Sequence, residues 1–329
     1  MTSAGSSRGS RPSLSEPTVS VVLPTYHRAD VLGDAVRSVL DQTYDDLELL
    51  VVDDGEDEAT PDLISSFDDD RLRYVRRDES VRRDDAEGVS SARNAGVRRT
   101  DGDLVAFVDS DDRWHSDKLR RQVRALREAN GGRDSDTGAE YGVAYTPVTK
   151  REGEPRTRDG VSGDATEAIR RLDVPTYTST LLVRREAFES VGGFDKRLNC
   201  FEDWDLCLRL ARNWQFAYVD APLVVKGTDA EAGNVSGDPD RLADALDRIF
   251  ESHDLPPAAR AQFLADAGKT YCEAGRLDEG RPYLRRALEL EFRPNAAAAL
   301  LFSLPGSPGV FDVGMDSVYE AEQWLSRLR

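Results

Sequence analysis

Apolar and polar residues follow two periods along this chain. Val31, Leu32, Ala35, Val36, Val39 and Leu40 recur at helical spacing and form one stripe on a helix that Asp30 is expected to open. Strands are expected at 19–23, 47–52, 72–75 and 104–108. The last of these, Leu104 to Val108, is an apolar run bounded by polar residues and reads as a strand buried on both faces. Pro24 is expected to stop the first. Helices are expected at 57–67 and 88–99, so strand and helix alternate. That order predicts an α/β fold, a doubly wound, mostly parallel sheet with helices on both faces.

The polar residues that end these strands matter most. Pro24-Thr25-Tyr26, Asp53-Asp54-Gly55 and Asp109-Ser110-Asp111-Asp112 all fall at carboxyl ends. In an open parallel sheet they share one edge, around the crevice where strand order reverses and ligands bind. Asp109 and Asp111 are two residues apart and point the same way in extended backbone. Two such hard oxygen donors can hold a divalent cation that also touches a diphosphate. The plain alternative is an acidic turn in an acidic protein. No G-x-G-x-x-G follows the first strand, which disfavours a dinucleotide-dependent dehydrogenase.

Further along, a charged amphipathic helix is expected at 117–130, strands at 141–148 and 178–183, and a short helix at 185–190. A Gly192-Gly193 turn comes next, then a helix beginning at Asp203 with Leu206, Leu210 and Ala211 on its buried side. An edge strand is expected at 216–225, where Pro222 is tolerated. Residues 150–164 read as a charged loop. These patterns divide the chain into a polar tail, 1–16, read as disordered, an α/β unit, 17–236, and a helical region, 237–329. In the last, a Pro/Gly break at 301–310 precedes a final helix at 316–328.

Composition narrows the partners. The 329 residues carry a formal charge of −18, which argues against nucleic acid or an anionic membrane surface as a nonspecific partner. Five lysines (118, 150, 196, 226 and 269) stand among 44 basic residues. An acidic, Lys-poor surface suits high salt and points to a salt-loving, haloarchaeal source; a GC-rich genome would also favour Arg. Cys200, Cys207 and Cys272 form no metal motif and read as reduced thiols. Three histidines make a His-based zinc site improbable. No apolar run approaches the roughly 18–20 residues needed to span a bilayer, and the N-terminus lacks the apolar core of a signal sequence. The expected location is cytoplasmic, with peripheral membrane contact allowed.

Val21-Val-Leu-Pro-Thr-Tyr26, Leu50-Val-Val-Asp-Asp-Gly55, Gly88-Val-Ser-Ser-Ala-Arg-Asn-Ala-Gly96, Val108-Asp-Ser-Asp-Asp112 and Glu202-Asp203-Trp204, in this order and spacing, resemble family 2 glycosyltransferases over residues 18–230. Each motif is weak alone; the series is specific. The resemblance implies a GT-A fold and inverting transfer from a nucleotide-diphospho-sugar, usually UDP-linked, with Mg²⁺ or Mn²⁺. Pro24, Thr25 and Tyr26 would line the nucleobase pocket, and Asp53 would accept from the base N–H. Arg93 and Asn94 would lie near the donor. Asp109 would contact ribose or metal, and Asp111 the metal. Asp203 would be the catalytic base, with Glu202 and Trp204 on the acceptor side. The acceptor expected is a hydroxyl or phosphate of a lipid-linked glycan or surface polysaccharide precursor.

Plainer readings stand beside these: Tyr26 as surface packing, Arg93 as a helix ion pair, Asp203 as an N-cap, Trp204 as core. The chain departs from the family where relatives place a His after the last strand. Here Lys226-Gly-Thr-Asp229 stands instead, and Asp229 is the substitute oxygen ligand on offer. Gly268-Lys-Thr-Tyr271, Ala274-Gly-Arg-Leu277, Ala287 and Pro294 resemble one tetratricopeptide unit, which alone buries little and is expected to dock on the α/β unit. Two rival functions remain: a catalytically silent, partner-binding relative, and a sugar nucleotidyltransferase. The second would want a Gly-rich loop and a Lys soon after the first strand, and 24–28 offers neither.

Overall fold

The structure, a computed structural model, describes residues 17–77, 88–131, 140–149, 160–198, 200–227, 238–304, 308–309 and 311–315. The α/β unit opens with β1 (Val19–Thr25), α1 (Ala29–Leu40), β2 (Leu47–Asp53), α2 (Ala59–Ser65), β3 (Leu72–Arg76), α3 (Val89–Val97) and β4 (Leu104–Phe107). It continues with β5 (Arg113–Trp114), α4 (Lys118–Gly131), β6 (Tyr141–Tyr145), β7 (Val148–Thr149) and α5 (Thr166–Arg170). After a 3₁₀ turn (Thr178–Thr180) come β8 (Leu182–Arg184), α6 (Arg185–Ser190), α7 (Glu202–Ala211), β9 (Gln215–Tyr218) and β10 (Val224–Val225). Four helices follow: α8 (Pro239–Ser252), α9 (Pro257–Glu273), α10 (Leu277–Leu290) and α11 (Pro294–Ser303).

Seven strands form one sheet in the order β3-β2-β1-β4-β8-β6-β9. β3, β2, β1 and β4 are parallel, β8 runs antiparallel to both its neighbours, and β6 pairs parallel with β9. Order reverses between β1 and β4, where the crevice is expected. Register sets the shared edge: Thr25 lies opposite Asp53, and Asp53 opposite Arg76. The period of two divides the core. Val19, Val21, Leu23, Leu104 and Ala106 face α1 and α4, while Val22, Val105 and Phe107 face the other layer. Along that layer α3 lies close on the sheet. A Cβ on Gly96 would sit 2.4 Å from Val22 Cγ1, so only glycine lets the helix approach.

Several expectations need correcting. Pro24 does not stop β1; it sits within the strand opposite Val52, because β4 pairs with β1 only as far as Val22 and leaves one side of the strand without a ladder at Pro24. Asp30 lies in the first turn of α1 rather than at its cap. The expected strand 141–148 is two strands in two sheets, β6 and β7, and 216–225 likewise divides into β9 and β10. β5, β10 and β7 form a separate three-stranded sheet. Residues 178–180 form a 3₁₀ turn instead of strand. The expected final helix, 316–328, lies outside the described residues.

The helical region is not separately packed. Leu242, Ala245, Leu246, Ile249, Ala259, Phe263 and Ala267 of α8 and α9 belong to the same apolar core as Phe107, Phe194, Trp204 and Leu206. A second, smaller core joins Leu264, Cys272, Leu284, Ala296 and Phe311 farther out.

Candidate active site

Three chain segments meet at the carboxyl edge of the sheet. Arg93, buried on α3, joins two of them. Its guanidinium donates to Asp109 Oδ1 at 2.6 Å and to Glu202 Oε1 at 2.8 Å. It also lies over the Phe194 ring, 5.2 Å from the centroid. One cation thus brings the strand-end carboxylate and the acidic pair opening α7 to a common point. Asp109 also anchors through its backbone N–H, which donates to Ser179 Oγ at 3.0 Å. Burial alone would raise the Asp109 pKa, but the charges of Arg93 and then Lys226 outweigh it and hold the carboxyl below its ordinary value.

Asp111 pairs with Arg28 at 3.2 Å. Asp112 accepts from the Gly227 N–H at 2.9 Å; burial, then the charge of Asp109, pushes its carboxyl up to about 6. Asp203 lies in the first turn of α7, whose N-cap position is Phe201 in left-handed backbone, φ 61°. Asp203 is therefore not the cap. Its Oδ1 accepts from the Trp204 N–H at 2.7 Å. Burial and the adjacent Glu202 charge push its carboxyl up to about 7, against the opposing pull of Trp204 N–H, Lys226 and Arg93. A carboxyl poised there is suited to taking a proton near neutral pH.

The expected nucleobase end lies along β1, β2 and β3. Asp53 is fully buried, accepting from the Gly55 N–H at 2.8 Å and from the Tyr74 hydroxyl at 2.7 Å. Burial and that bond raise the Tyr74 phenol to about 12. Thr25 Oγ1 is buried and has no hydrogen-bond partner among the described residues. Tyr26 is 61% exposed, set edge-on against His27, so one ring face is open to a ligand. Pro24 is enclosed in the strand.

Two expected site residues have structural partners of their own. Asn94 is spent as a clamp: its amide donates to the Phe194 carbonyl at 2.8 Å and accepts from the Phe194 N–H at 3.0 Å. Trp204 is 2% exposed, with Nε1 on the Ile169 carbonyl and its ring packed edge-on to His253 and Phe263. It presents no face to an acceptor, because α9 covers it. Asp229 lies outside the described residues.

One residue went unnoticed in the sequence. Arg77 follows β3 on the same edge, almost fully buried, with NH1 on Asp54 at 2.9 Å and its N–H on the Asp53 carbonyl. Its Nε and NH2 have no partner among the described residues. The available signal was its place just past a strand end, one residue beyond Arg76.

No three His, Cys, Asp or Glu side chains converge as a metal-binding group among the described residues. Asp109 and Asp111 are hard donors suited to Mg²⁺ or Mn²⁺, each with one carboxylate oxygen already held by an arginine. Such donors would suit a divalent cation, which would supply positive charge beside a phosphate.

This sheet, with its acidic edge, is the GT-A fold of nucleotide-sugar glycosyltransferases. The family model described as Glycosyl transferase family 2 matches residues 20–192, over half the chain, and the chain belongs to that family. A putative teichuronic acid biosynthesis glycosyltransferase, TuaG of Bacillus subtilis, is 37% identical over 115 residues, 34% of this chain and 43% of that protein. UDP-Glc:alpha-D-GlcNAc-diphosphoundecaprenol beta-1,3-glucosyltransferase WfgD of Escherichia coli is 33% identical over 112 residues, 34% of this chain and 42% of that one. The chain thus matches under half the length of these curated relatives. In fold, it is similar to S. aureus TarS 1-349 in complex with UDP-GlcNAc, with TM-score 0.56, 16% identity and 92% of each chain covered.

Proposed function

We propose that the protein transfers a sugar, with inversion, from a nucleotide-diphospho-sugar, UDP-linked, to a hydroxyl or phosphate on a lipid-linked glycan or surface polysaccharide precursor. The observation that carries this reading is the double grip of Arg93 on Asp109 and Glu202. It sets the donor edge of the sheet beside Asp203. The named substrates of WfgD and the UDP-GlcNAc of TarS are in keeping with it.

Inversion needs one displacement. The acceptor oxygen attacks C1, the bond from C1 to the phosphate oxygen breaks, and the bonding pair leaves with the nucleoside diphosphate. Asp203 takes the acceptor proton as the new bond forms. Glu202, held by Arg93, keeps the Asp203 pKa high enough for that proton to be worth taking. Tyr26, Thr25, Asp53 and Arg77 bind and orient the nucleoside. A Mg²⁺ or Mn²⁺ held by Asp109 and Asp111 would supply positive charge to the leaving group. Among the described residues no helix is long and apolar enough to cross a membrane, so a lipid-linked acceptor would be met at the membrane surface. The test is turnover of isotope-labelled UDP-sugars with lipid phosphate acceptors, wild type against Asp203→Asn. A loss of about 10²–10⁴-fold is expected for removal of a general base; undiminished turnover would sink the assignment.

A further inference from the structure

Lys226 follows the last short strand of the α/β unit, and the structure holds it firmly. β10 pairs antiparallel with β5, Val225 opposite Arg113, so the next step along both strands brings Lys226 to Asp112. The following residue locks this approach. The Gly227 N–H donates to Asp112 Oδ1, and a Cβ on Gly227 would fall 2.5 Å from the Asp111 carbonyl oxygen. On its other side, the Lys226 N–H donates to the Thr149 carbonyl at 2.8 Å. The backbone at 226–227 is therefore pressed against the Asp109–Asp112 turn, with no room to slide.

The side chain lies over Tyr177, Nζ 4.8 Å from the ring centroid. Among the described residues no ion pair closes on it, although Asp112, Asp109 and Asp203 lie near enough for their charges to act on it. Burial works against the ammonium, but these three carboxylates, in that order, outweigh it and keep it charged. An ammonium held over an aromatic ring, near carboxylates yet bonded to none, keeps its three donors for a further acceptor.

We propose that Lys226 is the protein's own contact for the terminal phosphate of the departing nucleoside diphosphate. The proposal rests on the glycosyltransferase reading and adds a residue to it. When the C1–oxygen bond breaks, its electron pair settles on the terminal phosphate of the nucleoside diphosphate. The Lys226 ammonium meets that charge without giving up its proton. Arg93 is already committed to Asp109 and Glu202, and Arg28 to Asp111; among the described residues packed on the Asp109–Asp112 turn, Lys226 is a cation held in no ion pair.

The test is calorimetric titration of the full chain with UDP, UMP and uridine, and with GDP and GMP in parallel. It is run at one KCl concentration, with Mn²⁺ and with chelator. Wild type is expected to bind the diphosphate more tightly than the monophosphate in chelator as well as in Mn²⁺. Lys226→Met and Lys226→Gln are expected to lose about tenfold for the diphosphate, about 1.4 kcal/mol, and under about twofold for the monophosphate. Lys226→Arg should keep most of the affinity, since a guanidinium also donates to phosphate. Unchanged diphosphate binding in both neutral variants would overturn the proposal. So would equal losses for both nucleotides, which would mark a structural role. If wild type binds neither UDP nor GDP, the glycosyltransferase reading falls too, which separates the two failures.

Discussion

Asp203 and Asp109 are both carboxylates at the same edge, and their neighbours drive them apart. Arg93 holds Asp109 ionised, whereas burial and Glu202 carry Asp203 from an ordinary 3.8 to about 7. Between those two values the native state keeps a proton that the unfolded chain has lost. Stability therefore falls as pH rises from about 4 to about 7, then levels. Asp203→Asn removes this charge, so the variant should melt above wild type at pH 8 and level with it at pH 4. Thermal melts at the two pH values check this. The wild-type kcat/KM should fall about tenfold per unit below pH 7, the acid limb of a base with that pKa. Sequence patterns located Asp53, Asp109 and Asp111 at this edge, because strand ends are local signals; Asp203 was joined to them only by the family resemblance. They did not locate the fate of Trp204 or Asn94. Both are decided by what packs on them from about sixty and one hundred residues away, Phe263 and Phe194, and local pattern carries no such information.

At the scale of elements, α7 is held from behind. Phe263 of α9 packs edge-on to Phe201 and Trp204, at 4.7 and 5.3 Å between centroids. His253, just past α8, bonds Asp205 at 2.8 Å, and Arg209 holds the other oxygen of that carboxylate. Arg209 in turn donates to the carbonyls of Val191 and Gly193, beside the Phe194 that Asn94 clamps. The turn, α7 and the C-terminal helices are thus one packed unit behind Asp203. Phe263→Ala should leave a cavity there and cost about 3–5 kcal/mol, measured by urea unfolding. Because Phe201 carries the left-handed backbone that opens α7, kcat should fall by more than nucleotide affinity does. A variant that is destabilised with kcat untouched would show that the helix keeps its own position. The long helices and the central strands were legible because their periods repeat over many residues. β5, β7 and β10, with two residues each, have no period to read, yet they fix Lys226.

For the whole molecule, two forces set the conditions of folding. The first is charge. A net −18 repels itself at low ionic strength, and a Debye length that shrinks from about 10 Å at 0.1 M to 3 Å at 1 M removes most of that repulsion. The melting temperature should rise between 0.1 and 2 M KCl; scanning calorimetry showing no rise would remove the case for a salt-adapted surface. The second force is the shared core. The polar residues around 237 look like a domain boundary in sequence, yet α8 and α9 complete the apolar layer that begins at Val22 and Phe107. Cutting the chain after residue 237 would bare Phe201, Trp204 and Leu206 together. An exposed patch of that kind drives association, and the lost burial removes much of the roughly 5–15 kcal/mol by which a protein of ordinary stability stays folded. The truncated chain is expected to aggregate or to melt well below the full protein, while the full protein unfolds in one transition through the inner helices. Soluble expression of 17–237 with an undiminished melting temperature would mean that the helices ride on a core that was already complete. The physical reason to expect otherwise is that Trp204, the largest side chain behind the proposed base, has its ring covered by residues from beyond the cut.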